Sequence, residues 1–445
     1  MSGAPADLAR DVQAAIDVAR AFAAHHFLIS LDEPATWQQV ETCAAHHAAG
    51  GAPRPLEGVL VAIKDQLDVQ GAPTTCGTTF CPGLAAADAE AVARLRAAGA
   101  VIFGKANMHE LALGPTGRNI HYGDVANPWD PRCDAGGSSS GSAALVAAGV
   151  TPLALGTDLG GSVRIPAAFC GVPSLKPTFG AIPTAGVVPV SPTLEHVGII
   201  GRDIDILRRA FRCLGPTTEV RLRKRKPRVG ICEAWWDLAE AETGSLVRSA
   251  LEALKDAGAV ELETVHLPSL SHYTRVGALI STAEASKAWA WSLDRKRVGA
   301  RRGPSAASSI ALAVGCEVRE AELERALVAR RSLSSQLDEA LRHVDVLATP
   351  TTPSPAGPYD DDGSSGEVDE GMVMSRIAFT MPFNLSGLPA VQVPCGFAAN
   401  GMPVGLQLVG PRNTEALLLA LGAVVEARTE RRIPRISASR VGGST

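Results

Sequence analysis

Apolar residues recur at helical spacing near the start of the chain, at Leu8, Val12, Ile16, Val18 and Phe22, and predict a helix over 7–24. A second helix is predicted over 36–48. The pattern then changes: Val59-Leu60-Val61-Ala62-Ile63 is a short, unbroken apolar run that ends on Lys64-Asp65 and reads as a strand. Residues 89–98 form an amphipathic helical stretch stopped by Gly99, and Val101-Ile102-Phe103-Gly104 follows as a buried strand. Helix, glycine stop and apolar strand in that order favour an α/β class. The next compact helix runs from Ala143 to a stop at Gly149, and the apolar positions Val150, Leu153 and Leu155 lead into a glycine-rich turn at 156–166. Arg164–Gly171 reads as a helix start with Pro166 in its first turn. Residues 176–193 read as loop. Beyond them the chain predicts a strand over 228–232, helices over about 243–257 and 316–343, and a strand over 344–350. Two alternating segments, 390–395 and 404–410, read as strands joined by a turn at Asn400-Gly401. Residues 354–371 combine Pro, Gly and Ser with six acids and read as a mobile surface loop. No internal repeat is evident.

Composition narrows the class. The 445 residues are 46% apolar and 20% charged, which is enough for a large core. A net charge of −4 gives no electrostatic case for nucleic acid or an anionic membrane as partner. The basic cluster Arg221, Arg223, Lys224, Arg225, Lys226 and Arg228 lacks interleaved aromatics and reads as a solvated linker. Nine scattered cysteines, an odd number, form no disulfide framework and no CxxC pair, so a reduced, cytoplasmic setting is expected. The histidine pairs at 25–26 and 46–47 have no partner ligands at zinc-site spacing. The N-terminus lacks the charge and apolar pattern of a signal peptide, and no apolar stretch approaches the ~20 residues of a membrane span.

Three features carry candidate chemistry. In Gly156-Thr157-Asp158-Leu159-Gly160-Gly161-Ser162, glycines allow backbone N–H groups to crowd one place, and Ser162 sits beside them as an acyl-transfer nucleophile would. A second cluster, Gly136-Gly137-Ser138-Ser139-Ser140-Gly141-Ser142, lies upstream. Lys64 is carried toward the interior by its apolar run; burial lowers the pKa of a lysine, and a neutral lysine is a general base. A lysine at a strand end also snorkels to solvent or pairs with its neighbour, here Asp65. The second cluster has the GxxxxG spacing of a phosphate loop, but Ser142 stands where that loop needs lysine. His109-Glu110 lacks the second histidine of a zinc-protease motif, because position 113 is Leu113. Cys170 has apolar neighbours on both sides and reads as an inert core thiol.

Taken together, these residues resemble the amidase signature family. Its members carry a lysine in an apolar-Lys-Asp run, here Ala62-Ile63-Lys64-Asp65; a GGSSGGS-type cluster, here ending in Ser142; and the long run from Gly156 to Thr178. Phe379–Ala390 and Pro403–Gln407 are similar to the family as well. The resemblance implies one domain over 1–445, with an N-terminal helical segment (1–50), the signature region (51–215) and the remainder (216–445). It implies an α/β fold with a central mixed sheet covered by helices on both faces. It further implies that Ser162 is the nucleophile, Ser138 a bridging serine after a cis peptide bond, and Lys64 the base. The N–H groups of Leu159, Gly160, Gly161 and Ser162 would form the oxyanion hole, with Met108, Gly137 and Asp158 contacting substrate. No metal or cofactor is implied. Three departures stand out: Ser140 and Ser174 replace usual glycines, and Glu195 replaces a frequent aspartate.

Within the family, Asn107–Leu111 and Asn119–Gly123 are similar to indoleacetamide and mandelamide hydrolases, which implies a small primary amide, aryl-substituted in those relatives, as substrate. Arg118 suggests recognition of a carboxylate. Ureide hydrolases of the allophanate type, and the glutaminase component of a tRNA-dependent amidotransferase, are the alternatives. That last branch tends to carry aspartate at the position of His109 and a Thr-Glu-Asn-Ser-type segment where this chain has Thr116-Gly117-Arg118-Asn119. Many members are dimers, so the resemblance admits a homodimer.

Overall fold

The computed structural model describes residues 5–80, 83–216, 225–298, 302–359 and 369–437. Residues 360–368 of the acidic loop and the basic residues Arg221, Arg223 and Lys224 lie outside them.

Eleven strands form one sheet. In chain order they are β1 (Leu28–Ser30), β2 (Leu60–Lys64), β3 (Val101–Ala106), β4 (Leu153–Asp158), β5 (Ser174–Lys176), β6 (His196–Gly201), β7 (Arg228–Ile231), β8 (Glu261–Thr264), β9 (Val346–Pro350), β10 (Ala390–Phe397) and β11 (Pro403–Val409). Their order across the sheet is β1-β3-β2-β4-β6-β5-β10-β11-β9-β7-β8. β2 runs parallel to β3 and β4, and β7 runs parallel to β8 and β9; the pairs between these two groups are antiparallel. The mixed α/β sheet expected from the sequence is therefore present. Every residue of β2 and of β4 is buried, which accounts for their unbroken apolar runs: covered on both faces, neither strand needs a polar side. Successive residues of β2 feed opposite cores. Val61 and Ile63 belong to the larger apolar cluster, and Leu60 and Ala62 to the smaller one that includes the N-terminal helix residues Val12 and Ile16.

The end of β2, with Lys64, meets the turn that follows β4. Lys64 lies in register with Ala106, and Ile63 with Leu155, so the chain leaving β2 runs beside the turn that follows β4. The helix Ser140–Ala147 packs close to this turn and is buried over its first seven residues. It carries no polar stripe because it has no solvent face. A Cβ at Gly141 would come within 2.3 Å of the Phe27 carbonyl oxygen, so glycine is what lets the helix sit this close.

Some elements differ from expectation. The helix anticipated over 316–343 is present as Glu320–His343, and a separate helix just before it, Ala306–Cys316, has no counterpart in the sequence reading. A 20-residue helix, Leu270–Trp289, has no counterpart in the sequence reading. Its buried positions include Tyr273, Gly277, Ile280, Ala283, Ala285 and Ser286, and small or polar residues among them obscure the apolar stripe. Strands at 174–176 and 196–201, for which the sequence reading gave no element apart from loop at Lys176, complete the middle of the sheet.

Candidate active site

Lys64 closes β2 with no solvent exposure. Its Nζ lies 2.7 Å from Ser138 Oγ and 2.7 Å from Thr157 Oγ1. Asp65 does not pair with it. That carboxylate faces Lys105, whose Nζ is 3.2 Å away and also donates to the carbonyls of Leu67 and Pro73. Among the described residues no carboxylate is in salt-bridge contact with Lys64, and burial brings its pKa down to about 7, with Glu195 and Asp158 pulling the other way. An ordinary lysine titrates near 10.4, so the site holds a large fraction of neutral amine at neutral pH.

Ser138 is fully buried, and the Gly137–Ser138 peptide bond is cis. The turn before it is fastened by Asp134, whose Oδ1 accepts the N–H groups of Gly117 and Gly136 at 2.8 Å each. Gly137 itself touches the strand of chain opposite: a Cβ there would lie 2.1 Å from the Thr116 carbonyl oxygen.

Ser162 stands on the turn between β4 and the helix Arg164–Cys170. It is 7% exposed while Lys64 and Ser138 are at 0%, so of the three it alone faces an incoming ligand. The Ser139 N–H donates to the Ser162 carbonyl at 3.0 Å, which ties the two serine loops together. No hydrogen bond links the Ser138 and Ser162 hydroxyls among the described residues.

Arg164 holds this turn. All five of its N–H donors are used inside the protein. Nε and Nη2 grip the two oxygens of Asp158 at 3.0 and 2.8 Å, Nη1 donates to Gln407 Oε1 and the Thr380 carbonyl, and Nη2 also donates to Asn384 Oδ1. Asp158 in turn accepts the N–H groups of Gly161 (2.8 Å) and Val163 (3.1 Å). Burial alone would raise the Asp158 carboxyl; the Arg164 charge and these hydrogen bonds outweigh it and hold the group well below the usual carboxylate range. Thr380 Oγ1 closes the far side by donating to the Gly160 carbonyl at 2.6 Å. Gly161 has φ +128°, and a Cβ there would meet Thr380 Oγ1 at 2.3 Å. The turn is thus locked from both sides, and only glycine fits its tightest point.

The Amidase family pattern matches residues 12–419. The chain belongs to the Amidase family. This amidase is similar over 90% of its length, at 35% identity, to a glutamyl-tRNA(Gln) amidotransferase subunit from Roseiflexus sp. (strain RS-1), of which 89% is covered. Its fold matches the crystal structure of an amidase with TM-score 0.86 at 35% identity, covering 94% of this chain and 95% of that one. It also matches the corresponding glutamyl-tRNA(Gln) amidotransferase subunit from Thermotoga maritima with TM-score 0.80 at 27% identity, covering 98% and 96%. The amidase is a C–N hydrolase by family. The expected likeness to indoleacetamide and mandelamide hydrolases is not what these comparisons return: the curated relatives are amidotransferase subunits.

The expected site residues differ in their surroundings. Asp158, expected to contact substrate, is fully buried and spends its oxygens on Arg164, Asn384 and the turn's own N–H groups. Gly161, expected in the oxyanion hole, already donates its N–H to Asp158. The N–H groups of Leu159, Gly160 and Ser162 have no hydrogen-bond partner among the described residues. Met108 is fully buried within the larger apolar cluster, beside Gly77. His109 and Glu110 have different partners. His109 Nδ1 contacts Thr116 Oγ1 at 2.9 Å, while Glu110 meets His121 Nε2 at 2.7 Å and fastens Ser305 and Ser308 at the start of the helix Ala306–Cys316. Arg118 stacks 4.4 Å over the Tyr359 ring and lies 3.2 Å from Asp124. Ser140 and Ser174 are buried with no hydrogen-bond partner for either hydroxyl among the described residues. Cys170 is buried, and burial pushes its thiol well above the usual range.

Sequence reasoning did not single out Arg164, Thr157, Thr380 or Asn384. The available signal was an arginine followed by Ile-Pro-Ala-Ala-Phe: a charge embedded in an apolar run is buried, and a buried charge requires partners.

Proposed function

We propose that this amidase hydrolyses a carboxamide through Ser162, with Ser138 and Lys64 as its proton relay. The observation that carries this reading is the contact of Lys64 Nζ with Ser138 Oγ at 2.7 Å in a site where the lysine is wholly buried. Neutral Lys64 accepts the Ser138 proton as Ser138 accepts that of Ser162, and Ser162 Oγ bonds to the amide carbon. The oxyanion is received by the free N–H groups of Leu159, Gly160 and Ser162. As the tetrahedral centre collapses, the C–N bond breaks and the relay returns its proton to the departing nitrogen. Water, deprotonated through the same relay, then cleaves the ester at Ser162, so one amide and one water give one acid and one ammonia.

The curated relatives favour the side-chain amide of glutamine as the amide cleaved, with this chain as the ammonia-producing component of an amidotransferase and the other components as its protein partners. The match to a solved amidase, with higher TM-score and identity than to the Thermotoga protein, supports a second reading in which the enzyme acts alone on small primary amides. Ammonia release separates the two. Turnover of glutamine that rises when the other amidotransferase components are added supports the first; turnover of small amides, with glutamine inert under both conditions, replaces it with the second.

A further inference from the structure

Behind Lys64 lies a row of polar side chains that the relay itself does not use. Thr157, Gln66 and Glu195 are all buried, the first two with no exposure. Thr157 Oγ1 donates to Gln66 Oε1 at 2.6 Å. Gln66 Nε2 donates to the Val188 carbonyl at 2.8 Å and to Glu195 Oε1, and Glu195 Oε2 accepts the Val190 N–H at 3.2 Å.

The direction of these bonds is determined by their chemistry. The Val188 carbonyl can only accept, so the Gln66 amide nitrogen must face it and Oε1 must face Thr157. The main chain supports this orientation, because the Gln66 carbonyl accepts the Val188 N–H at 2.9 Å and so keeps residue 188 alongside. Thr157 has one hydroxyl hydrogen, and it goes to Gln66 Oε1. Toward Lys64, 2.7 Å away, Thr157 offers only a lone pair. A neutral Lys64 has two hydrogens and one lone pair. It meets Thr157 with a hydrogen, and its lone pair remains for the Ser138 hydroxyl.

We propose that Gln66 and Glu195 are positioning residues that fix the hydrogen of Thr157 away from Lys64 and so aim the base's lone pair at Ser138. The inference rests on the proposed role of Lys64. With the Gln66 amide removed, the Thr157 hydroxyl turns its hydrogen toward Lys64 and competes with Ser138 for the lone pair.

The test uses the rate at which a fluorophosphonate labels the full chain, located by peptide mass mapping, because this probe reports serine activation without knowledge of the substrate. Gln66→Met, which keeps size but removes the amide, is expected to slow labelling of Ser162 by about tenfold or more, a part of the usual contribution of a general base. Adding Thr157→Val removes the competing hydroxyl, so the double variant is expected to label faster than Gln66→Met alone; a merely structural role gives no such rescue. Glu195→Leu, which removes the acceptor that Gln66 meets there, is expected to slow labelling as well and carries the test if Gln66→Met does not fold. Wild-type rates in Gln66→Met and Glu195→Leu, or a double variant slower than the single, overturn the inference. Absence of label on wild-type Ser162, or labelling unchanged in Ser162→Ala, instead overturns the function proposed above and the inference with it.

Discussion

Replacing Arg164 by methionine removes the guanidinium that holds the nucleophile turn while keeping a long apolar side chain. The loss is large because the pair is buried on both sides, at 0% side-chain exposure for Arg164 and Asp158. Breaking such a pair by deleting one partner costs about 3–5 kcal/mol, since the remaining charge stays desolvated. Gln407, Asn384 and the Thr380 carbonyl also lose a donor, which keeps the estimate toward the upper end. At about 2 °C per kcal/mol for a large chain, the melting temperature should fall by about 6–10 °C. Activity should fall further than stability. Asp158, freed from Arg164, no longer orders the Gly161 and Val163 N–H groups, and a displacement of ~1 Å at Ser162 is worth about a hundredfold in rate. Calorimetry and ammonia release on the same preparation measure both effects. Adding Asp158→Asn removes the stranded charge, so the double variant should regain part of the melting temperature without regaining turnover. An Arg164→Met protein with wild-type melting and turnover would refute the reasoning.

Other outcomes follow from the same geometry. Gly161→Ala should cost about 1–3 kcal/mol and most of the activity, read by melting and turnover, because the residue has φ +128° and faces Thr380 Oγ1. Turnover should fall as the pH drops below about 7, where Lys64 takes up a proton and ceases to be a base, and should level off above it; a rate that rises on acidification has the wrong sign. Glu110→Leu should lower the melting temperature, at a cost of about 3 kcal/mol, by stranding His121, Ser305 and Ser308.

The parts of this protein legible in its sequence are those dictated by local rules. The run before Lys64 signalled a buried strand because β2 has no polar face, and the glycines around Ser162 signalled a tight turn, at whose Gly161 no other residue fits. Gly99 and Gly149 end their helices as their positions suggest, with φ of +91° and +75°. What stayed hidden depends on contacts distant in sequence. Arg164 meets Asn384 and Gln407, more than two hundred residues away, and nothing near residue 164 names those partners. β5 has only three residues, and the places of β5 and β6 are set by pairing with β10 and β4. Asp158 illustrates the limit most clearly. A carboxylate in a glycine-rich turn suggests a ligand contact, and only the burial of Arg164 against it reveals that it orders the turn.

The most direct test of the account is ammonia release from a panel of amides, including glutamine, small aliphatic and aryl amides and ureides, by wild type and by Ser162→Ala of equal melting temperature. The account predicts release by the wild type and none above background by Ser162→Ala. Release that survives the loss of the Ser162 hydroxyl would contradict it.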